Sequence, residues 1–205
     1  MSKLASLQNQ QIPGATSREE EILAESTRVF ARNGFRATDV QVIADSLGIG
    51  KGTIYRIFPT KQSLFLACAD RAMRRLQGVI HEDSNAVVDP MDRLKAAIKA
   101  YFRFFDANPE AIELIIQERA EFKDREKPTY FEHRDRNIAP WVELFEALIA
   151  DGLVRPMKPE KITNFISHQL YGKLFTHYFT RRKQPLVKDA DEVIEFLCHG
   201  FMSVE

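Results

Sequence analysis

The sequence contains no long apolar run, little cysteine and no secretory signal. Spanning a bilayer takes about 20 consecutive apolar residues, and no segment of the 205-residue chain approaches that length. The first residues, MSKLASLQNQQIPGATS, include one lysine and no apolar core, so they do not resemble a signal peptide. We therefore expect a cytoplasmic protein in which Cys68 and Cys198 are buried thiols rather than a disulfide or a metal pair.

Sequence signatures of catalysis and of metal binding are also missing. The five histidines include no pair spaced four residues apart, and no HExxH or Cys-His metal pattern occurs. No GxSxG nucleophile motif is present. The charged run His133-Arg134-Asp135-Arg136 is expected to be an exposed helix face. The sequence thus predicts no catalytic residue, no metal and no cofactor.

The net charge is zero, but the two signs are unevenly distributed. Residues 1–75 carry 11 Lys and Arg against 7 Asp and Glu, whereas residues 76–205 carry 18 against 22. A basic N-terminal third joined to an acidic remainder suggests that only one end of the chain meets a polyanion. The alternative is random unevenness, which a swing of this size does not exclude.

Nearly every segment has the apolar spacing of an α-helix, and no sustained two-residue alternation occurs. The chain is therefore predicted to be all-α, with about nine helices. Helix starts are marked by capping signals at Thr16 or Ser17, Thr60, Asp89-Pro90 and Asn108-Pro109. A long helix is predicted between Lys127-Pro128 and Gly152, with a kink at Pro140.

The stretch GIGKGTIYR, residues 48–56, could be a phosphate-binding loop or part of a DNA-binding motif. A P-loop requires glycine where Asp45 stands and Ser or Thr where Gly52 stands. The dinucleotide-binding motif requires glycine in place of Thr53. Both motifs follow a strand, whereas the residues before Gly48 have helical spacing. These mismatches argue against nucleotide binding.

A helix-turn-helix agrees with the same region at many positions. Two helices that cross around a tight turn need a small residue at their contact, glycine at the turn and apolar inner faces. Ala44 and Gly48 meet the first two requirements. The inward positions are Ile43, Leu47, Ile49, Ile54 and Ile57, and the outward positions are Gln41, Lys51, Thr53, Tyr55 and Arg56.

Residues 18–65 resemble the DNA-binding region of the tetracycline-repressor (TetR) family of bacterial transcription regulators. The shared pattern consists of Phe30, Gly34-Phe35, Thr38, Ile43-Ala44, Gly48, Tyr55, Phe58, Lys61 and Leu64. Two positions depart from it, because Gly50 stands where a capping serine is common and Arg56 where a histidine is common. The resulting division is a flexible tail at 1–15, a helix-turn-helix domain at 16–62 and a helical effector-binding and dimerisation domain at 63–205.

The resemblance and the side-chain chemistry together suggest DNA contacts. The candidates are Thr38, Gln41, Lys51, Gly52, Thr53, Tyr55, Arg56 and Lys61. Lys51 can donate to guanine or to a phosphate, and Thr53 can contact a phosphate or a thymine methyl group. Gly52 has no side chain, so the backbone can approach the groove closely.

The remaining candidates are expected to bind phosphate. Tyr55 and Arg56 would fix the register on the duplex without reading its sequence. Thr38 and Lys61 are predicted at helix starts, where backbone amides favour phosphate, and Gln41 could contact a base or a phosphate. A solvated surface position is the alternative for each of these residues, and Tyr55 could instead pack against the end of the first helix.

Beyond residue 75 the likeness to the family is architectural, and it implies an effector cavity and a dimer surface. The candidate effector residues are Phe102, Phe105, Ile112, Ile116, Trp141, Phe145, His168 and Tyr171. The last two helices are predicted to form the dimer surface through Ile162, Phe165, Ile166, Gln169, Leu170, Lys173, Val193, Ile194, Leu197 and Phe201. For both sets the alternative is that the side chains form the core of their own subunit.

These features predict a sequence-specific transcriptional regulator that is not an enzyme. It would be a homodimeric repressor released from a pseudo-palindromic operator by a small-molecule effector. The alternative is a small-molecule-binding or enzymatic helical protein whose helix-turn-helix no longer binds DNA.

Overall fold

The computed structural model describes residues 15–180 and 184–201, and the side chains of residues 18–180 and 184–198. Over these ranges the chain forms ten α-helices, which confirms the all-α prediction. They are α1 (Ala15–Asn33), α2 (Val40–Ser46), α3 (Lys51–Ile57), α4 (Lys61–Asn85), α5 (Pro90–Ala107), α6 (Pro109–Glu121), α7 (Thr129–Arg136), α8 (Ala139–Ala150), α9 (Pro159–Phe179) and α10 (Lys188–Phe201). Of the predicted tail at 1–15, residues 1–14 lie outside the described residues, and Ala15 already belongs to α1.

The capping signals at Thr60, Asp89 and Asn108 mark helix starts, whereas α1 begins at Ala15 and not after the cap predicted at Thr16 or Ser17. The Thr60 hydroxyl accepts from the Ser63 backbone N–H at 2.9 Å in a reciprocal capping box. The Asp89 carboxylate accepts from the Asp92 N–H at 2.9 Å, directly before Pro90. Each cap satisfies a backbone N–H that the first helical turn leaves without a partner, so the starts of α4 and α5 are fixed locally.

The region after Pro128 differs from the single kinked helix predicted for it. It forms two helices, α7 and α8, separated by Asn137 and Ile138. Pro140 lies in the first turn of α8, where a missing N–H costs no intrahelical hydrogen bond. The Asn137 side-chain amide donates to the His133 carbonyl at 2.7 Å and closes α7. This break accounts for the tenth helix.

Two clusters of buried side chains hold the molecule together. The head consists of α1, α2, α3 and the first two turns of α4, and its core includes Phe30, Ile43 and Phe65. The body consists of the remainder, from the middle of α4 to α10, with a second core. Because α4 is continuous and contributes to both cores, the boundary predicted between residues 62 and 63 falls within a helix.

Helix α6 fastens the body to the head. The Gln117 side-chain amide donates to the Phe30 carbonyl at 2.9 Å, and Arg36 pairs with Glu121 at 2.7 Å. Just after α6, the Phe122 ring meets the Phe35 ring edge-on, with centroids 4.8 Å apart. These contacts place the end of α6 directly against the loop that leads into α2.

Candidate DNA interface and effector cavity

Helices α2 and α3 form a helix-turn-helix with a tightly bonded turn. Gly48 has a φ of 63°, a left-handed conformation that glycine adopts without steric cost. The Ile49 N–H returns to the Ala44 carbonyl at 3.0 Å, and Gly50 is the N-cap of α3. Ile43, Ala44 and Ile54 are fully buried in the head core. The inner face therefore fixes the position of α3 on the head.

The outer face of α3 carries the side chains predicted to contact DNA. Tyr55 and Arg56 are exposed, and Lys51 and Thr53 are partly exposed. No atom lies within 4 Å of the position that a Cβ on Gly52 would occupy, so the backbone there is open to an approaching surface. This face combines a basic end with a bare backbone, an arrangement that suits a DNA groove.

Asp39, which was not among the predicted site residues, links α2 to α3. Its carboxylate caps α2 by accepting from the Gln41 N–H at 2.9 Å, and it pairs with the Lys51 Nζ at 2.7 Å. The Gln41 N–H, and then Lys51, hold the pKa of Asp39 below its usual value, while Asp39 raises the pKa of Lys51. An aspartate directly before a helix was the sequence signal for this cap.

Thr38 and Lys61 hold the loop between α1 and α2. Because Asp39 is the cap, Thr38 is not at the helix start predicted for it; it is buried, and its hydroxyl donates to the Gly34 carbonyl at 2.7 Å. Lys61 does begin α4, and its Nζ donates to the Thr38 carbonyl at 3.0 Å. The same ammonium lies 4.7 Å from the centre of the Phe35 ring. Contact of either residue with DNA stays a prediction.

A cavity of about 120 Å³ lies in the body between α4, α5, α7, α8 and α9. Most of its wall is apolar, with Leu76, Leu94, Ile98, Ile138, Trp141, Phe145, Ile166 and Leu170. An engineered apolar cavity of about 150 Å³ accepts benzene, whereas pockets for larger ligands span about 300–1,000 Å³. In this conformation the enclosed space suits a small molecule, and because the cavity is partly open to solvent, a longer ligand can extend beyond it.

The predicted effector residues divide between the cavity and other places. Trp141 and Phe145 line the cavity. The other six do not: Phe102, Phe105 and Ile112 are buried in the body core, Ile116 and Tyr171 pack against that core, and His168 is exposed beside a second depression. Helical spacing identifies the apolar positions on α5 but not which of them face the cavity. Successive side chains on a helix point about 100° apart. Tyr101 therefore lines the cavity, while the next residue, Phe102, is buried in the core.

Helix α7 supplies polar groups to the cavity that the sequence analysis missed. His133 is buried and bonded to Asp70 at 2.7 Å, and Arg134 donates to Ser167 at 2.7 Å. The expectation that this run is an exposed face is therefore wrong for both residues. A signal was present, because the cavity-lining positions 130, 133, 134, 137 and 138 follow the three- and four-residue spacing of one helix face.

Two tyrosines add a further polar point to the cavity wall. The hydroxyl groups of Tyr101 and Tyr130 lie 3.0 Å apart and are buried. Burial raises the pKa of Tyr130 to about 12 and also raises the pKa of Tyr101. Both phenols therefore remain protonated at neutral pH and are able to donate hydrogen bonds.

Several predicted dimer residues belong to the core of their own chain. Ile162, Ile166, Val193 and Leu197 are buried in the body core, and Leu170 lines the cavity. The side chain of Phe201 lies outside the described residues, while Ile194, Gln169 and Lys173 are partly exposed.

Helices α9 and α10 expose a pair of stacked aromatic residues, and Phe179 at the end of α9 is exposed as well. Phe165 is 36% exposed and Phe196 is 57% exposed. Their rings stack with centroids 6.0 Å apart. Large aromatic side chains are common at the centres of protein interfaces, so this stacked pair is an exposed apolar part of the predicted dimer surface.

The structure shows no cluster of metal ligands in the part of the chain that it describes. No group of three or more His, Cys, Asp or Glu residues that could hold a metal ion occurs in residues 15–180 and 184–201. No helix within that part of the chain is long and apolar enough to cross a membrane.

Cys68 and Cys198 are free thiols. Cys68 is buried as predicted, and burial raises its pKa to about 12. Cys198, which was also predicted to be buried, is partly exposed.

Residues 22–68 match the family described as bacterial regulatory proteins, tetR family. The chain is 32% identical over 118 residues to the uncharacterized HTH-type transcriptional regulator YerO of Bacillus subtilis, covering 56% of this chain and 40% of YerO. It is 26% identical to the HTH-type transcriptional repressor KstR2 of Mycolicibacterium smegmatis, covering 68% and 69% of the two chains. Among the first curated relatives, the chain thus spans less than half the length of YerO.

Solved structures share the fold over almost the whole chain. The regulator FadR of Bacillus subtilis in complex with stearoyl-CoA has a TM-score of 0.74 at 19% identity, covering 88% of this chain and 98% of FadR. A putative regulator of Saccharomonospora viridis in complex with choline has a TM-score of 0.80 at 17% identity, covering 92% and 100%. The helix-turn-helix head thus matches the tetR family of bacterial regulatory proteins, and head and body together share the fold of these solved structures.

Proposed function

We propose that this chain is a sequence-specific DNA-binding transcriptional regulator. The main support for this proposal is that α3 has one face buried in the head and an opposite face exposed. Its inner residue Ile54 is fully buried, while Lys51, Gly52, Tyr55 and Arg56 lie on the outer face. A helix that is rigidly seated and basic outside can enter the major groove and contact bases and phosphates. Chromosomal DNA as the target also implies a protein of the cytoplasm.

The regulator acts as a homodimer in this proposal. One seven-residue recognition helix spans few base pairs, so specificity requires two heads on a pseudo-palindromic site. Exposed Phe165 and Phe196 provide an apolar surface through which two identical bodies can join by twofold symmetry. The two half-sites are expected about 34–36 Å apart, or a multiple of that distance.

A small-molecule effector that releases the protein from DNA completes the proposal. The body cavity is a candidate effector site, and two neighbours of the same fold contain ligands, stearoyl-CoA and choline. The cavity residue His133 bonds to Asp70 on α4, a helix that continues into the head. Ligand binding can therefore bias the position of the head, provided that the ligand has different affinities for the two conformations.

The competing function is a ligand-binding or enzymatic protein whose head no longer meets DNA. The named relatives are transcriptional regulators, and KstR2 is a repressor, which supports regulation and repression over catalysis. The exposed outer face of α3 also favours the DNA-binding proposal. A head without DNA contacts would have no need of a bare backbone at Gly52 beside Lys51 and Arg56.

Selection of bound duplexes from a random pool tests the proposal directly. We expect recovered sequences to share an inverted repeat and to bind with strong salt dependence, because lysine and arginine release counterions from phosphates. Four phosphate contacts alone give a slope of about −4 in log affinity against log salt concentration. Recovery of no common sequence, together with salt-independent binding, would refute a sequence-specific regulator.

A further inference from the structure

Within the described residues, one permanent charge lies in the wall of the body cavity, and it is positive. Two carboxylates outside the wall, Asp70 and Asp135, bond to its residues His133 and Arg134. Among the described residues that line it, Arg134 is the one with a permanent charge, and none is a carboxylate. His133, Gln77, Asn137, Thr163 and Ser167 provide the other polar side chains, together with the two tyrosines. An apolar cavity with a cationic residue in its wall differs from a plain gap in the core, which would carry no charge.

The positive charge of Arg134 is only partly neutralised by its neighbours. Its Nη1 is 2.8 Å from the Asp135 Oδ1, but the Lys127 Nζ is 2.7 Å from the other oxygen of that carboxylate. Lys127 first, and Arg134 with it, hold the pKa of Asp135 below its usual value, so the carboxylate stays ionised. Because Asp135 divides its negative charge between Arg134 and Lys127, it neutralises Arg134 only in part.

Arg134 also has hydrogen-bonding capacity to spare. A guanidinium has five N–H donors. Nε donates to Ser167 at 2.7 Å, Nη2 donates to Asn164, and Nη1 donates to Asp135. Two donors therefore have no acceptor among the described residues. Because only 19% of this side chain is exposed, a ligand acceptor would be a favourable partner for them.

We propose that the effector is an apolar molecule with an anionic, carboxylate-type group that pairs with Arg134. The apolar body of such a molecule would lie along Ile98, Trp141 and Phe145, and its charge would meet the guanidinium in the geometry that arginine favours for carboxylates. The proposal rests on the proposed function only in naming this occupant as the effector; the binding itself does not depend on DNA.

The alternative ligand classes fit this cavity less well. A cationic ligand would lie beside Arg134 with no lining carboxylate to balance it, so choline, which binds one structure of the same fold, does not suit this chain. A neutral alcohol would accept a hydrogen bond but would add no negative charge to balance the part of the Arg134 charge that Asp135 leaves. The charge of the ligand group is therefore the property to test.

Three eight-carbon probes that differ in their head group separate these classes. Isothermal titration calorimetry of the full chain with octanoate, octan-1-ol and octyltrimethylammonium measures the effect of charge at nearly constant apolar size. We expect octanoate to bind at least about tenfold more tightly than octan-1-ol, since a hydrogen bond to a charged group contributes more than a neutral one. Equal or tighter binding of octan-1-ol or octyltrimethylammonium overturns the proposal.

Substitution of the arginine locates the effect. Arg134→Gln is expected to weaken octanoate binding by about tenfold to a hundredfold and to leave octan-1-ol binding unchanged, while Arg134→Lys retains part of the octanoate preference. Arg136→Gln is the matched control, because Arg136 lies on the same helix and is exposed, and it does not line the cavity. Unchanged octanoate binding by the Arg134→Gln protein overturns the proposal.

Folding and DNA binding are measured in parallel on the same samples. Thermal unfolding shows whether Arg134→Gln is folded, and if it is not, the Arg134→Lys protein and the three wild-type titrations decide the question. A wild-type protein that binds its selected duplex but not octanoate overturns the ligand class and leaves the regulator intact. Arg134-dependent octanoate binding by a protein that binds no duplex supports the ligand class and refutes the regulator.

Discussion

Asp39 performs two tasks at the edge of the head that we propose meets DNA. It caps α2 through the Gln41 N–H and holds Lys51 on α3 through an ion pair. The pair fixes the direction of the lysine, but it also places a negative charge where phosphates are expected to approach. Gln41 is similarly engaged, because its amide donates to Asp45 at 2.7 Å. Two of the predicted base contacts thus have acidic partners within the head.

We expect Asp39→Asn to tighten binding to the selected duplex by about three- to tenfold. Asparagine caps a helix as well as aspartate does, so α2 should remain intact while Lys51 becomes available to DNA. The salt dependence should also become steeper by about one unit. Fluorescence anisotropy at several salt concentrations measures both quantities.

Asp45→Asn is the control for this experiment, because it removes the same charge from the same helix without affecting Lys51. Its effect on affinity should be smaller, and its salt dependence unchanged. Weaker binding by the Asp39→Asn protein would contradict the idea that Asp39 competes with DNA. It would show instead that the ion pair positions Lys51 productively.

At the scale of helices and turns, the head depends on two glycines that act differently. Gly48 ends α2 with a positive φ, whereas Gly52 lies inside α3 without one. At neither glycine does any atom lie within 4 Å of the point that a Cβ would occupy, so steric crowding explains neither of them. We expect glycine to be needed at position 48 because of the positive φ there. At position 52 we expect it to be needed because a side chain would project from the outer face of α3.

Alanine substitutions should therefore have opposite effects on stability at the two sites. Gly48→Ala forces an L-residue into the left-handed region and should lower the free energy of unfolding by about 1–2 kcal/mol. Gly52→Ala should raise it by about 0.5–1 kcal/mol through helix propensity, yet weaken duplex binding by about tenfold because a methyl group now faces the groove. Urea unfolding and anisotropy measure the two effects.

Gly48→Asn serves as the control, because asparagine tolerates the left-handed region better than alanine and should recover part of the lost stability. If Gly52→Ala binds the duplex as well as the wild type does, the backbone at that position does not approach DNA closely. Equal destabilisation by Gly48→Asn and Gly48→Ala would contradict the conformational explanation.

Several helix starts could be predicted from the sequence, whereas most of the residues that line the cavity could not. Caps such as Thr60 and Asp89 act within one helical turn, so residue type and spacing are enough to predict the starts of α4 and α5. The kink predicted at Pro140 was wrong, because proline also fits the first turn of a new helix. The Asn137 side chain donates to the His133 carbonyl and ends α7 before that proline. The lining of the cavity depends on how α5 and α7 are rotated, which tertiary packing determines.

On the scale of the whole molecule, the two cores share helices rather than a linker. Helix α4 passes through both, and α6 contacts the head through Gln117, Glu121 and Phe122. Buried Glu118 accepts from the backbone N–H and the hydroxyl of Thr129, both at 2.9 Å, which ties the start of α7 to the same end of α6. A displacement of the cavity wall on α7 can therefore reach the head through a continuous set of contacts.

The proposed dimer concerns the whole molecule as well, and the exposed aromatic pair makes it testable. In a twofold interface each substitution occurs twice, and truncation of a central aromatic residue often costs more than about 2 kcal/mol. We expect Phe196→Ser to raise the dimer dissociation constant by at least about a hundredfold. Sedimentation equilibrium over a range of concentrations measures this constant.

Leu153→Ser is the matched control, because Leu153 is also a partly exposed apolar residue, 42% accessible, but lies in the turn after α8. It should leave the dimer unchanged. Since Phe196 is exposed in the single chain, its loss should not unfold the body, and circular dichroism verifies this. The monomeric Phe196→Ser protein should bind the full inverted repeat only as weakly as a single half-site, because one head cannot contact both half-sites. A Phe196→Ser protein that remains dimeric would place the subunit interface on another surface.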